Sequence, residues 1–285
     1  MDIGLLIFPT DKSIPPVRLA REAEARGFES LWFPEHSHIP TSRETPWGGR
    51  EGAPPLPEQY WRTYDQFVAL AACAGATERI RLGTGICLVA QRDPVWLAKE
   101  VASLDLISGG RFDFGIGYGW NREEMRTHGV DPRTRRELVR EKIGLMKAIW
   151  TQEEASYDGD MVSLQPSWSW PKPVQQPHPP VVLGGGPGPK LYEAVVDFCD
   201  GWMPIGGRHA VDLGLEGIRK ACEAAGRDPA TIHLGMFGAK PEVAAIEQLR
   251  ELGFSRAVLG LPQQGTDEVL VTMDRYAEEI LPAFA

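Results

Sequence analysis

Two stretches of this chain have residue types and spacing that could do chemistry. The first is Val181-Val182-Leu183-Gly184-Gly185-Gly186-Pro187-Gly188-Pro189-Lys190. Three apolar residues, two of them β-branched, end a buried strand. Glycines and prolines break it, and apolar residues at 191, 194, 195 and 198 begin a helix. A strand entering a helix through glycines leaves backbone N–H groups bare. The helix N-terminus adds partial positive charge, so a phosphate oxygen can approach. The same turn can also join strand to helix and bind nothing. The second stretch is Pro34-Glu35-His36-Ser37-His38. An imidazole titrates near neutral pH and suits proton transfer, and a carboxylate stands beside it. A single loop histidine is more often only hydrogen-bonded. His36 and His38 also form an H-x-H pair of the kind metal-dependent hydrolase barrels use. The later strand ends carry glycines and Gly260-Leu261-Pro262 rather than further ligands, so no metal is expected.

An alternation of strands and helices must position these groups. Short apolar runs predict strands at 2–8, 28–33, 80–83, 111–115, 180–183, 201–205, 232–237 and 256–259. Helical patterns fall at 17–26, 61–76, 94–107, 132–150, 189–198, then up to Gly226, and at 242–252 and 267–281. Residues 34–60 and 153–180 interrupt the rhythm, the latter with a short hairpin near 156–164. Eight strands, each followed by a helix, argue for an α/β fold with a parallel sheet covered on both faces and closed into a (β/α)8 barrel. An open doubly wound sheet is the alternative, but no G-x-G-x-x-G follows the first strand. In a barrel the site lies at the C-terminal strand ends. These ends include Thr84-Gly85-Ile86-Cys87, Gly117-Tyr118-Gly119-Trp120-Asn121, the glycine turn and Gly206-Gly207-Arg208-His209. Trp47, Trp61, Trp120, Trp168 and Trp170 could line a pocket for a ring system, or simply pack.

The 285 residues have 42% hydrophobic content and a formal net charge of −9, with no basic stripe for a nucleic-acid backbone. The basic run at 133–140 is interleaved with Glu137 and reads as a solvated helix face. Cys73, Cys87, Cys199 and Cys222 are far apart and read as small core residues. No signal peptide and no membrane-spanning segment is evident, so a cytoplasmic protein is expected.

Several segments, in order, resemble the bacterial-luciferase-like barrel family in its branch dependent on coenzyme F420. They are Gly27-Phe28-Glu29-Ser30-Leu31-Trp32 leading to Glu35-His36, and Arg81-Leu82-Gly83-Thr84-Gly85. The others are Ser108-Gly109-Gly110-Arg111-Phe112 leading to Gly115-Ile116-Gly117, and Pro171-Lys172-Pro173-Val174-Gln175 leading to Gly184-Gly185-Gly186-Pro187. The resemblance implies a TIM-type (β/α)8 barrel with insertions after strand 2 and before strand 5, one domain over residues 1–285. It implies a cofactor ring across the strand ends, among backbone such as Gly117. Its phosphate would lie at Gly185 and Gly186, with Ile205, Gly206 and Gly207 assisting, and a non-proline cis peptide at Gly85–Ile86 would support the ring. His36 is the implied proton donor or acceptor, with Glu35 orienting the ring or tuning the histidine. The implied activity is hydride transfer between coenzyme F420 and a small organic substrate, in either direction. An FMN-dependent monooxygenase on the same barrel is the alternative. A non-catalytic flavin- or deazaflavin-binding protein and a metal hydrolase follow. Relatives usually form a homodimer.

Overall fold

The computed structural model describes residues 1–208 and 210–284, so His209 lies outside the described residues. In chain order the elements begin β1 (Asp2–Leu6), α1 (Pro16–Ala25), β2 (Ser30–Phe33), α2 (Gln66–Ala74), β3 (Arg81–Thr84), α3 (Pro94–Ser108) and β4 (Phe112–Ile116). Next come α4 (Arg122–Thr127), α5 (Arg135–Thr151), β5 (Ala155–Asp158), β6 (Ser163–Ser167), β7 (Val181–Gly184) and α6 (Pro189–Phe198). The chain finishes with β8 (Gly201–Met203), α7 (Val211–Ala225), β9 (His233–Ala239), α8 (Val243–Glu251), β10 (Arg256–Gly260) and α9 (Thr266–Glu279). Eight strands close a parallel barrel in the order β1-β10-β9-β8-β7-β4-β3-β2, and β1 pairs with both β2 and β10. This is the expected TIM-type barrel. β5 and β6 form a separate antiparallel hairpin inserted before β7.

Local chemistry explains where the boundaries moved. The helix expected from residue 61 starts at Gln66, because Asp65 caps it by accepting the Val68 N–H at 2.9 Å. The helix expected from 132 starts at Arg135, after a turn in which Asp131 accepts from Arg133 N at 2.9 Å and Thr134 N at 3.2 Å. α4 has six residues, too few to show a helical period in sequence. All four cysteines are buried and unpaired, as read from their apolar surroundings. No described helix is long and apolar enough to cross a membrane.

The barrel interior is built around Trp32, whose side chain is fully buried. Val182, Met203 and Val258 pack with it, joined by Leu6 and Phe237. An indole this large fits because neighbouring strands present glycine towards it. A Cβ on Gly83 would come within 2.3 Å of the indole, and one on Gly4 within 3.4 Å of its Nε1 and 2.3 Å of Ser30 Oγ. Below the indole, at the N-terminal mouth, Arg256 lies 5.4 Å from the ring centroid. Arg256 pairs with Glu29 at 2.6 Å and Asp113 at 3.1 Å, and Arg81 with Asp113 at 2.5 Å. Burial acts to lower the Arg256 pKa, but Asp113 and Glu29 more than offset it and hold the pKa above the usual value. The lower mouth is thereby plugged, and the open chemistry is left to the opposite rim.

Gly83→Ala should force a methyl into the Trp32 ring and cost about 1–3 kcal/mol of stability, as overpacked cores do. Denaturant midpoints compared with wild type read this; an unchanged midpoint would show that the interior yields freely.

Candidate functional site

His36 follows β2 directly and is buried. Its Nδ1 lies 2.8 Å from Oε2 of Glu124, a residue on α4 that is wholly removed from solvent. The other Glu124 oxygen accepts the Ser37 N–H at 3.0 Å and the Ser37 hydroxyl at 3.3 Å. α4 forms here because Asn121 caps it, accepting from Glu123 N at 3.2 Å and Glu124 N at 3.3 Å. Acidic residues in the first turn suit the positive end of the helix dipole. On the far side of the ring, Trp120 Nε1 donates to His36 Nε2 at 3.3 Å. An indole N–H can only donate, so Nε2 carries the lone pair and Nδ1 the hydrogen; this tautomer is assigned from the hydrogen-bond pattern. Tyr60 lies 5.2 Å from the imidazole centroid, and Trp47 and Phe8 flank Tyr60 at 5.7 and 4.6 Å. Burial pushes the Tyr60 phenol above its ordinary pKa, against a hydrogen bond from Trp47 and the charge of Arg208. In this arrangement Nδ1 is held on Glu124, and a proton could be taken up at Nε2 once the Trp120 N–H gives way to a ligand.

Glu35 is turned elsewhere. Its carboxylate accepts the Leu88 N–H at 2.5 Å and Arg92 Nε at 2.6 Å. Arg92 also pairs with Asp65 at 2.8 Å and Glu100 at 2.9 Å. Burial acts to lower the Arg92 pKa, but Glu35 foremost more than offsets it, and the pKa is raised. Lys142 completes the clamp from α5, donating to the carbonyls of Ala90 at 2.8 Å and Arg92 at 2.6 Å. Desolvation brings the Lys142 ammonium down to about 8. Glu35 therefore fastens the segment after β3, and the carboxylate hydrogen-bonded to His36 is Glu124, which sequence reasoning missed. Its only signal in sequence was an asparagine three residues before a glutamate at the end of the fourth strand.

The fastened segment holds the Gly85–Ile86 peptide, which is cis. The Ile86 side chain packs beneath two glycines. A Cβ on Gly117 would meet it at 2.6 Å and one on Gly184 at 2.9 Å, while one on Gly85 would meet Phe237 at 2.4 Å. Gly85 and Gly117 are thus needed by the barrel's own packing. After β8, Ile205 bridges to Phe237, Gly206 N donates to Phe237 O at 2.8 Å, and Gly207 has φ +69°.

The glycine turn after β7 has Gly185 at φ +141° and Gly188 at φ +157°, and Trp202 Nε1 donates to Gly185 O at 3.0 Å. Among the described residues, no protein acceptor takes the N–H of Gly185, Gly186 or Gly188. β2 and β7 belong to one parallel barrel, so this turn and His36 open on the same rim. Gly85, Ile86, Gly117, Ile205, Gly206 and Gly207 follow strand ends on that rim too. Trp47 and Trp120 join the aromatic group at His36, whereas Trp61, Trp168 and Trp170 are exposed.

These features describe a (β/α)8 barrel whose candidate site lies at the C-terminal ends of its strands. The family model for luciferase-like monooxygenases matches residues 15–269, and the chain belongs to that family. An uncharacterized protein of Mycobacterium tuberculosis is 39% identical over 284 residues, covering 98% of this chain and 99% of that protein. An F420-dependent glucose-6-phosphate dehydrogenase of Kineococcus radiotolerans is 29% identical over 73% of this chain and 58% of its own length. A flavin-dependent trigonelline monooxygenase oxygenase component of Acinetobacter baylyi is 29% identical over 58% of this chain and 41% of its own. Among solved structures, the monooxygenase RslO1 of Streptomyces bottropensis superposes over 100% of both chains with TM-score 0.80 at 23% identity. The coenzyme F420-dependent tetrahydromethanopterin reductase of Methanopyrus kandleri covers 100% of this chain and 99% of its own, with TM-score 0.74 at 18% identity. The family thus includes both F420-dependent and flavin-dependent enzymes.

Glu124→Ala should leave the His36 proton free to sit on either nitrogen, so imidazole 15N shifts should move from a single Nδ1–H form to a mixture. Unchanged shifts would remove Glu124 from control of the tautomer. For Lys142, the unfolded chain holds a proton that the folded chain has released between its folded pKa of about 8 and the ordinary 10.5. Stability contributed by this group therefore rises with pH across that window. Urea unfolding at pH 8 and 10 should show the rise in wild type and a flatter dependence in Lys142→Met.

Proposed function

We propose that this chain is an oxidoreductase that moves a hydride between coenzyme F420 and a small organic substrate, with His36 handling the accompanying proton at Nε2. The observation that carries this reading is the His36–Glu124 pair on the rim that also bears the glycine turn. When bound, coenzyme F420 supplies the hydride chemistry at C5 of its deazaflavin ring. The donor set fits such a group, because bare amides at Gly185 and Gly186 suit a phosphate. Ile205, Gly206 and Gly207 would flank that phosphate, and Gly85, Ile86 and Gly117 would form the floor under the ring. In substrate oxidation, the Nε2 lone pair takes a hydroxyl proton and Glu124 stabilises the imidazolium; in reduction, Nε2–H returns it. Glu35 acts as a positioning residue, holding Leu88 and Arg92 and with them the segment after β3.

The F420-dependent relatives support this cofactor assignment, as does the segment around Glu35-His36. A second reading, an FMN-dependent monooxygenase, is favoured by the flavin-dependent relative. A non-catalytic binding protein would have no use for a buried histidine–carboxylate pair. The same reading includes a homodimer; Trp96, Trp168 and Trp170 are among the exposed large apolar side chains. It also places the chain in a reducing cytoplasm, to which four free thiols are suited.

Fluorescence titration should show binding of coenzyme F420 that His36→Ala leaves intact. The same variant should lower kcat/KM about 10²–10⁴-fold, the span of general acid–base catalysis. Tight FMN binding without coenzyme F420 binding would establish the second reading instead.

A further inference from the structure

At the corner where α4 meets α5, the chain forms a cavity of about 670 Å³ lined by Arg122, Arg126, Asp131, Pro132, Arg133 and Arg135. Within the basic run expected to be a solvated helix face, Arg133 and Arg140 are exposed as expected, whereas Arg135 and Arg136 are half-buried. Arg122 and Arg126 stand one turn apart on α4, the helix whose buried residue Glu124 meets His36. Four arginines here face one aspartate, and that aspartate is already engaged. Arg133 holds Asp131 through Nη2 at 2.7 Å, Nε at 3.1 Å and the backbone N–H at 2.9 Å. Arg126 has its nearest carboxylate, Glu123, at 3.8 Å. Among the described residues, no carboxylate lies in ion-pair range of Arg122 or Arg135. Arg135 has its Nε buried without a hydrogen-bond partner, and the neighbouring Arg136 likewise its Nη1. Burial first, then repulsion from Arg136 and Arg122, depresses the Arg135 pKa. Gathering like charges and hiding unpartnered donors is unfavourable unless an anion completes the set.

The cavity's place on the barrel narrows what that anion is. Arg136 packs 4.4 Å above the Tyr118 ring, beside Gly117 at the end of β4. β4 is hydrogen-bonded to β7, whose end is the glycine turn. The glycine turn and the Tyr118 segment against which Arg136 packs thus follow neighbouring strands of the same rim. Guanidinium groups offer paired N–H donors matched to carboxylate and phosphate oxygens.

We propose that the arginine-lined cavity between α4 and α5 binds a flexible oligoanion, and that this anion is the glutamyl-carboxylate tail of coenzyme F420. The tail assignment rests on the function proposed above; the anion chemistry rests on the cavity alone. The tail thereby adds affinity at a point that FMN, which ends at its phosphate, does not reach.

The test compares coenzyme F420 carrying several glutamates with the form that lacks glutamates, titrated by fluorescence into wild type and into Arg122→Ala/Arg126→Ala. Both substituted side chains are exposed, so folding is spared, and Arg135→Gln provides a second variant closer to the buried donors. Wild type should bind the long-tailed form about tenfold tighter, a difference of about 1.4 kcal/mol. The double variant should lose that preference while binding the tail-less form as before, and raised salt should erase it in wild type. Equal affinity of wild type for both forms overturns the tail assignment and leaves the F420 reading standing. Binding of neither form, with FMN bound instead, overturns both. Inorganic tripolyphosphate titrated into the same proteins identifies the remaining source. If it binds wild type but not the double variant while tail length has no effect, the cavity takes a free anion, which also overturns the tail assignment.

Discussion

The hydrogen bond between His36 Nδ1 and Glu124 Oε2 determines what the rim of this barrel can do. It joins two residues 88 positions apart, one after β2 and one on α4, in a place that excludes solvent. A carboxylate there needs partners, and it has three: the imidazole, the Ser37 amide and the Ser37 hydroxyl. With Nδ1 so engaged, the other ring nitrogen faces Trp120 and its lone pair accepts the indole N–H at 3.3 Å. The short helix exists to serve this contact. Asn121 caps it, its inner side carries Glu124, and its exposed side carries Arg122 and Arg126.

Two carboxylates near one histidine have taken separate tasks, and their partners decide which. Glu35 is adjacent to His36 in the chain yet points away, into a guanidinium and a backbone amide. Through Arg92 and Lys142 it restrains the segment that contains the Gly85–Ile86 peptide. That segment packs Ile86 under Gly117 and Gly184, so the floor of the rim is set by side-chain volume as well as by backbone. The residue next to His36 in sequence is thus a support for the neighbouring strand end, since successive loop residues point in different directions.

The two ends of the barrel are kept apart by Trp32. Its indole fills the space that Gly4 and Gly83 leave open, and the paired charges of Arg256, Glu29, Asp113 and Arg81 lie on its lower side. The polarity of the barrel, with ion pairs below and the His36–Glu124 pair above, follows from strands that all run one way.

By itself the sequence determined the architecture. Eight short apolar strands, each followed by an amphipathic helix, match a parallel sheet covered on both faces, and with no G-x-G-x-x-G after the first strand closure into a barrel is favoured over an open doubly wound sheet; the strand ends of a closed barrel share a rim. It also determined His36 and the glycine turn as rim features, because both follow strands directly. Only the tertiary structure decided which acid meets the histidine, since the partner arrives from another strand's loop on a helix too short to show a period. It alone decided that Glu35 clamps Arg92, and that a basic run with the pattern of a solvated face gathers around a cavity. Hydrophobic periodicity records which way an element faces the core. Contacts between loops depend on how separate strand ends meet in space, and no local pattern carries that.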